Sequence, residues 1–143
     1  MDHPGWFTWD LVDQTRFNTQ TMGEMITRIE TRADGGKAAR LRMFPEHRHS
    51  NLLAAVHGGI TLALIDISLF AAMRTLTDGD AAGSVTLDLA TQFIGAGQIG
   101  DPLDAVVEVL RETGRLVFLR GLVEQGNNTI AAFNGTIRKP TKR

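Results

Sequence analysis

The feature that most constrains this chain is an apolar segment of sixteen residues, Gly58 to Met73, whose single charged residue is Asp66. From Gly58 to Thr75 the chain contains no proline and few β-branched residues, a pattern that predicts one long helix. Sixteen residues are too few to cross a bilayer. We therefore predict a core helix that is buried nearly all round.

Asp66 is an unusual residue for such a helix. Its neighbours on the helix surface, three and four positions away, are Leu62, Ala63, Leu69 and Phe70, all of them apolar. An unpaired carboxylate in apolar surroundings costs free energy, so two interpretations stay open. Either a distant backbone N–H group or arginine satisfies Asp66, or the carboxylate lies in a partly desolvated cleft and acts as a general base.

The segments on either side of this helix predict β-strands. Ser84 to Ile94 alternates, which places Thr86 and Asp88 on the face opposite Leu87 and Leu89. The predicted elements are a short helix from Thr8 to Phe17, a hairpin of Met25 to Arg32 and Ala38 to Phe44, and strands at Ser84 to Ile94, Leu103 to Leu110, Leu116 to Val123 and Thr129 to Ile137. This order of elements is an α+β pattern.

Length and composition exclude several classes of function. A chain of 143 residues is expected to form a single domain over residues 1–143. The 15 Lys and Arg residues and 16 Asp and Glu residues leave a net charge of −1, which gives no reason to expect binding to nucleic acids or membranes. The absence of cysteine excludes disulfides, thiolate nucleophiles and cysteine-based metal sites. The first residues lack the features of a signal peptide, so we expect a cytoplasmic protein.

His57, Gly58 and Gly59 stand where the long helix is predicted to begin. Two glycines in a first turn disfavour a helix, but without Cβ atoms they let a ligand oxygen approach the N–H groups at the positive end of the helix dipole. This suits a carbonyl that becomes negatively charged during acyl transfer. Gly58 and Asp66 are about 12 Å apart along the helix axis, so they cannot act on one carbonyl within one chain. Antiparallel helices in a two-fold dimer would bring Asp66 of one chain to Gly58 of the other.

The spacing of these residues resembles that of the hotdog-fold acyl-CoA thioesterases of the PaaI-like branch. That pattern has an asparagine six residues before His-Gly-Gly and an acidic residue nine after the histidine, which are Asn51 and Asp66 in this chain. The resemblance extends over about residues 40 to 138. It implies a six-stranded antiparallel sheet wrapped around one long central helix, here with a short N-terminal helix, and assembly as a homodimer or a dimer of dimers.

The resemblance also implies an activity, the hydrolysis of an acyl-CoA thioester at a site shared across the dimer interface. Coenzyme A would enter as part of the substrate, without a separate cofactor or metal. Asp66 would activate water or attack the thioester, the Gly58 N–H group would polarise its carbonyl, and His57 and Asn51 would position the carbonyl or the water. The expected substrate-binding residues are Gly59, Thr86, Ser84, Gly114 and Arg115, of which Thr86 or Ser84 would support the carboxylate.

Other functions stay open. A hotdog module could bind acyl-CoA without catalysis, although binding alone does not need a buried carboxylate. His47 and His49 could present two imidazoles to a metal ion, with Asp66 or His57 completing the site. A hotdog hydratase is a further alternative, but no segment resembles the motifs of those branches. The chain also departs from the thioesterase pattern at Ala54, where glycine is usual.

Overall fold

The computed structural model describes residues 3–9, 13–79 and 82–140. A long helix, α1 (Gly58–Leu76), packs against an antiparallel sheet, and two short helices lie at Asn18–Met22 and His47–His49. The strands are β1 (Phe7–Thr8), β2 (Met25–Thr31), β3 (Lys37–Met43), β4 (Val85–Phe93), β5 (Leu103–Glu112), β6 (Leu116–Gln125) and β7 (Asn128–Arg138). Their order across the sheet is β1-β2-β3-β5-β6-β7-β4, so β1 and β4 are its edges.

The architecture agrees with the predicted hotdog fold except in the number of strands, which is seven and not six. The additional strand is β1, where Phe7 and Thr8 pair with β2. The short N-terminal helix lies at Asn18–Met22, later than the predicted segment Thr8 to Phe17. Of that segment, Thr8 belongs to β1 and residues 10–12 lie outside the described residues. A strand of two residues carries no alternation from which it could be predicted.

One side of α1 packs against the sheet and forms the centre of the core. Thr61, Ile65, Ser68 and Leu69 are each at most 2% exposed, so two polar residues lie on the most buried side of the helix. The Ser68 hydroxyl donates to the carbonyl of Ile65, which satisfies it without leaving the helix. A Cβ at Gly135 of β7 would lie 2.7 Å from Leu69 Cδ1, so glycine there allows the close packing. With 19 residues α1 has the length and composition of a membrane span, but its burial against the sheet is that of a core helix.

A bulge in β4 changes which of its side chains face α1. Thr86 and Asp88 pair with adjacent residues of β7, so Leu87 is an extra residue in β4. Thr86 hydrogen-bonds to Asp66 of α1 and Leu89 packs against the core, so both face the helix. The prediction that Thr86 and Leu89 lie on opposite faces is therefore wrong, because it assumed an unbroken alternation.

Ion pairs connect neighbouring strands on the face of the sheet away from α1. Arg40 of β3 donates to Glu30 of β2 at 2.6 Å and to Asp104 of β5 at 2.8 Å. Arg28 donates to the same Glu30 carboxylate at 2.9 Å. Burial raises the pKa of Glu30, but the hydrogen bonds from Arg40 and Arg28 outweigh burial and hold the pKa below its ordinary value. These ion pairs stabilise the sheet at a distance from the residues of α1.

Candidate active site

Helix α1 begins at Gly58 because the side chain of His57 caps it. The backbone of His57 is extended, and its Nδ1 accepts a hydrogen bond from the N–H group of Gly59 at 2.8 Å. A substrate contact with the Gly59 N–H group would therefore have to replace an existing bond. The Gly58 N–H group makes no hydrogen bond within the described residues. Gly58 thus offers an unused donor at the positive end of the helix dipole.

The loop before α1 is a tight turn organised by Asn51. Its Oδ1 accepts hydrogen bonds from the N–H groups of Leu53 at 2.9 Å and Ala55 at 3.1 Å. Between them Ala54 has a φ of +61°, in the left-handed region where a residue with a Cβ is disfavoured by about 1 kcal/mol. This backbone conformation explains why glycine suits the position. The Asn51 amide nitrogen makes no hydrogen bond within the described residues, so it is available to a ligand.

Asp66 lies half-buried on the side of α1 that faces β4. The Thr86 hydroxyl donates to Asp66 Oδ1 at 2.7 Å. The other oxygen, Oδ2, has neither a hydrogen-bond donor nor a cation as partner within the described part of the chain. Ser84, the alternative partner predicted for this carboxylate, precedes β4, and the contact is made by Thr86. A carboxylate with one oxygen held and the other open can act as a general base or as a nucleophile.

A pocket of about 390 Å³ lies at the N-terminus of α1, and its lining includes Asn51, Gly58 and Phe93. The loop before α1 also borders a larger groove of about 1110 Å³, whose lining includes Leu52, Leu53 and His57. Gly58, whose N–H group is unused, is therefore one of the residues that line the smaller pocket.

The residues of the candidate site fall into two clusters within one chain. A Cβ at Gly58 would lie 3.6 Å from the ring of Phe93 at the end of β4, whereas Thr86 near its start contacts Asp66. Helix and strand therefore run antiparallel, and about 12 Å of helix separate Gly58 from Asp66. The helix-start cluster consists of Asn51, His57 and Gly58, and the carboxylate cluster of Asp66 and Thr86. One chain does not bring the two clusters to the same point.

Gly114 and Arg115 lie in the turn between β5 and β6. The start of β6 pairs with the end of β7, and the end of β7 pairs with the start of β4, so the turn lies at the Thr86 end of the sheet. Arg111, Arg115 and Arg138 are exposed there, and none of them pairs with a carboxylate within the described residues. These three arginines, the basic rim, place positive charge at the same end of the sheet as the carboxylate cluster.

His49 does not offer an open metal ligand. It is 2% exposed, its Nδ1 accepts from the N–H group of Glu46 at 2.9 Å, and its Nε2 lies 2.6 Å from the carbonyl of Thr21. In the part of the chain that the structure describes, no three His, Asp or Glu side chains are arranged to hold a metal ion. This structural use of His49 could not be predicted from the sequence, because a histidine near a second histidine and an arginine is typical of a solvated loop.

Comparisons with known proteins agree with the fold. The family model of the thioesterase superfamily matches residues 53–132, more than half of the chain. A Pseudomonas aeruginosa protein named "Putative esterase PA0474" is 23% identical over 127 residues, which are 89% of this chain and 94% of that protein. The structure of the Escherichia coli PaaI protein from the phenylacetic acid degradation operon has a TM-score of 0.69 at 19% identity, over 90% of this chain and 87% of that chain. Zebrafish thioesterase superfamily member 2 has a TM-score of 0.65 at 23% identity, over 79% and 80% of the two chains.

These structural similarities, all under 25% identity, establish the fold, and the family match establishes the superfamily. The long helix packed against a large antiparallel sheet is the hotdog fold that the family resemblance implies. By fold and by family match together, this chain belongs to the thioesterase superfamily.

Proposed function

We propose that this protein hydrolyses acyl-CoA thioesters at two equivalent sites of a homodimer. The observation that carries the proposal is the geometry of the two clusters: an unused N–H donor at Gly58 and an open carboxylate oxygen at Asp66, about 12 Å apart along one helix. A thioesterase needs both groups at one carbonyl. The partner chain is therefore the source of the second cluster.

The exposed edge of the sheet supports the dimer. Strand β4 is an edge strand, and Val85, Leu87 and Phe93 on it are 43%, 51% and 53% exposed. Antiparallel pairing of β4 with its copy, centred between Leu89 and Ala90, would place the start of each strand beside the end of the other. Because β4 and α1 are antiparallel, this pairing brings the carboxylate cluster of one chain to the helix-start cluster of its partner.

The chemistry follows from the groups assembled in this way. Asp66 accepts a proton from a water molecule whose oxygen attacks the thioester carbon, and the carbonyl oxygen gains negative charge next to the Gly58 N–H group of the partner subunit. The carbon–sulfur bond then breaks, and the proton held by Asp66 goes to the departing thiolate. The products are a carboxylic acid and free coenzyme A. Direct attack by Asp66, followed by hydrolysis of the resulting anhydride, uses the same groups.

The basic rim supports coenzyme A as the thiol carrier. Coenzyme A carries several phosphate charges, and arginine is well suited to bind phosphate. Arg115 lies at the same end of the sheet as the carboxylate cluster and has no acidic partner within the described residues. Substituting Arg115→Ala should raise KM for acyl-CoA esters about tenfold. It should leave KM unchanged for acyl thioesters of N-acetylcysteamine, which lack phosphates.

The direct test measures thiol release from short, medium, long and aromatic acyl-CoA esters. The aromatic esters belong in the panel because the similar E. coli PaaI protein comes from an operon for phenylacetic acid degradation. Turnover of at least one ester supports the proposal. Saturable binding of acyl-CoA without turnover of any ester would favour the non-catalytic module instead.

A mixing experiment tests whether the sites are shared. Asp66→Asn and Gly58→Pro homodimers should both be nearly inactive, since each lacks one group in both sites. In a mixed dimer one site has both groups intact and the other has neither. An equimolar mixture that exchanges subunits freely should therefore recover about one quarter of the wild-type activity. No recovery, despite mixed dimers detected by mass spectrometry, would show that each chain forms its site alone.

A further inference from the structure

We infer that His49 is a positioning residue for the Gly58 donor. The inference rests on the proposed function, in which the Gly58 N–H group stabilises the negative charge on the carbonyl oxygen. His49 makes no hydrogen bond to Asp66 or Thr86, and one short loop separates it from α1. Its effect on the reaction would pass through the backbone that leads into the helix.

The His49 ring joins two segments that are distant in sequence. Nδ1 faces the N–H group of Glu46 at 2.9 Å, and Nε2 faces the carbonyl of Thr21 at 2.6 Å. An amide N–H group can only donate and a carbonyl can only accept, so Nδ1 is the acceptor and Nε2 the donor in these two bonds. Thr21 belongs to the short helix Asn18–Met22. The ring therefore anchors the turn at His47–His49 to that helix.

A second bond from the same turn reinforces this attachment. The Arg48 guanidinium donates to the carbonyl of Gln20 at 2.7 Å, next to the carbonyl that His49 uses. Arg48 is more exposed than His49 and also pairs with Glu46 on the surface. The buried ring of His49 is therefore the better protected of the two attachments.

The backbone of His49 passes this anchoring to the helix start. Its carbonyl accepts a hydrogen bond from the N–H group of His57 at 2.8 Å. His57 is the residue that caps α1 and immediately precedes Gly58. The chain of contacts thus runs from Thr21 through the His49 ring and carbonyl to His57, and ends at the Gly58 N–H group. Loss of the ring would leave the direction of that N–H group less well defined.

This role predicts a particular kinetic signature. A donor that acts on the charge developing in the transition state affects kcat more than substrate binding. A displacement of about 1 Å in a catalytic group can cost about 100-fold in rate. We expect His49→Leu to lower kcat between about tenfold and 100-fold, with KM changed less than about threefold. His49→Asn, whose Oδ1 can still accept from the Glu46 N–H group, should recover part of the lost kcat.

Amide hydrogen exchange tests the same inference without relying on activity. In His49→Leu the His57 amide should exchange at least tenfold faster, while the amides in the middle of β6 keep their wild-type rates. His47→Gln is the matched control, because His47 lies in the same turn, is exposed, and its side chain makes no hydrogen bond within the described residues. It should change neither the exchange rates nor kcat. If His49→Leu does not fold, His49→Asn and the exchange measurement still give the comparison.

The outcomes separate this inference from the proposed function. A wild-type protein without thioesterase activity refutes the proposed function, and the exchange rate of His57 still reports whether His49 anchors the helix start. Unchanged exchange at His57 in a folded His49→Leu protein overturns the inference. So does faster exchange throughout the β6 core, which would show that the ring supports the whole fold and not the helix start. A wild-type kcat in a folded His49→Leu protein overturns it as well.

Discussion

The sharpest prediction concerns the unused N–H group at the start of α1. Gly58→Pro removes this group and adds the three carbons of the proline ring. Proline is favoured at the first position of a helix, where the lost hydrogen is not needed for the helix itself. The preceding residue, His57, has a ψ of 136°, which a following proline requires. We therefore expect the variant to fold, with a free energy of unfolding within about 1 kcal/mol of the wild-type value.

The expected loss of activity follows from the number of donors. The Gly59 N–H group already donates to His57, so the N–H group of Gly58 is the backbone donor of this turn that has no acceptor within the described residues. Removing one donor from an oxyanion-binding site typically lowers kcat by about 100-fold to 1,000-fold. Thiol release from the best acyl-CoA ester, measured at saturating substrate, gives kcat directly. Urea unfolding of the same preparations gives the stability.

Gly58→Ala is the matched control. A Cβ at this position would lie 3.6 Å from the Phe93 ring, an ordinary contact, and the N–H group stays in place. We expect this variant to lose less than about tenfold in kcat, since it adds a methyl group near the pocket but keeps the donor. A folded Gly58→Pro protein that keeps a third or more of the wild-type kcat would refute the reasoning. Equal losses in the Ala and Pro variants would also refute it, because the effect would then be steric.

Three further predictions address the carboxylate, the loop and the sheet. Asp66→Asn removes the carboxylate, so kcat should fall by about 100-fold to 10,000-fold. The urea midpoint should stay close to wild type, because asparagine keeps the shape of the side chain and an acceptor for the Thr86 hydroxyl. Wild-type turnover would exclude Asp66 as base or nucleophile. Ala54→Gly removes the cost of a left-handed φ but increases the freedom of the unfolded chain. We expect the free energy of unfolding, measured in urea, to rise by about 0.5 kcal/mol. A decrease of more than about 1 kcal/mol would contradict this. The pKa of Glu30 is lower in the folded chain than in the unfolded chain. Its ion pairs therefore stabilise the fold fully above the ordinary glutamate pKa of about 4.3. This stabilisation is lost as the pH falls through the pKa that Glu30 has in the folded chain. Glu30→Gln should therefore lose less stability than wild type between pH 5 and pH 3, and equal losses would argue against this ion pair.

The long helix and six strands could be predicted from the sequence because each has a strong pattern. Helix α1 begins at the predicted Gly58 and ends at Leu76, one residue later than expected. The strand β1 could not be predicted, since two residues show no period. The bulge at Leu87 could not be predicted either, because the extra residue is defined only by the pairing of β4 with β7.

The residues of the candidate site could be proposed from the sequence. The hydrogen bonds between them could be found only in the structure. The spacing of His57 and Asp66 pointed to two groups on one helix. The engagement of the Gly59 N–H group by His57 depends on a side-chain rotamer that no spacing reveals. The role of His49 depends on a contact with Thr21, 28 residues earlier in the chain. Such contacts are set by tertiary packing and not by local propensity.

The separation of Gly58 from Asp66 along α1 determines how much activity remains when normal and defective chains are made in the same cell. If each site takes one group from each chain, a subunit defective only at Asp66 inactivates one of the two sites in a dimer with a normal subunit. Total activity would then fall in proportion to the share of defective chains. A subunit defective at both Gly58 and Asp66 would inactivate both sites of every mixed dimer, so activity would fall with the square of the normal share. In a cell with two gene copies, the single defect would leave half of the activity and the double defect one quarter.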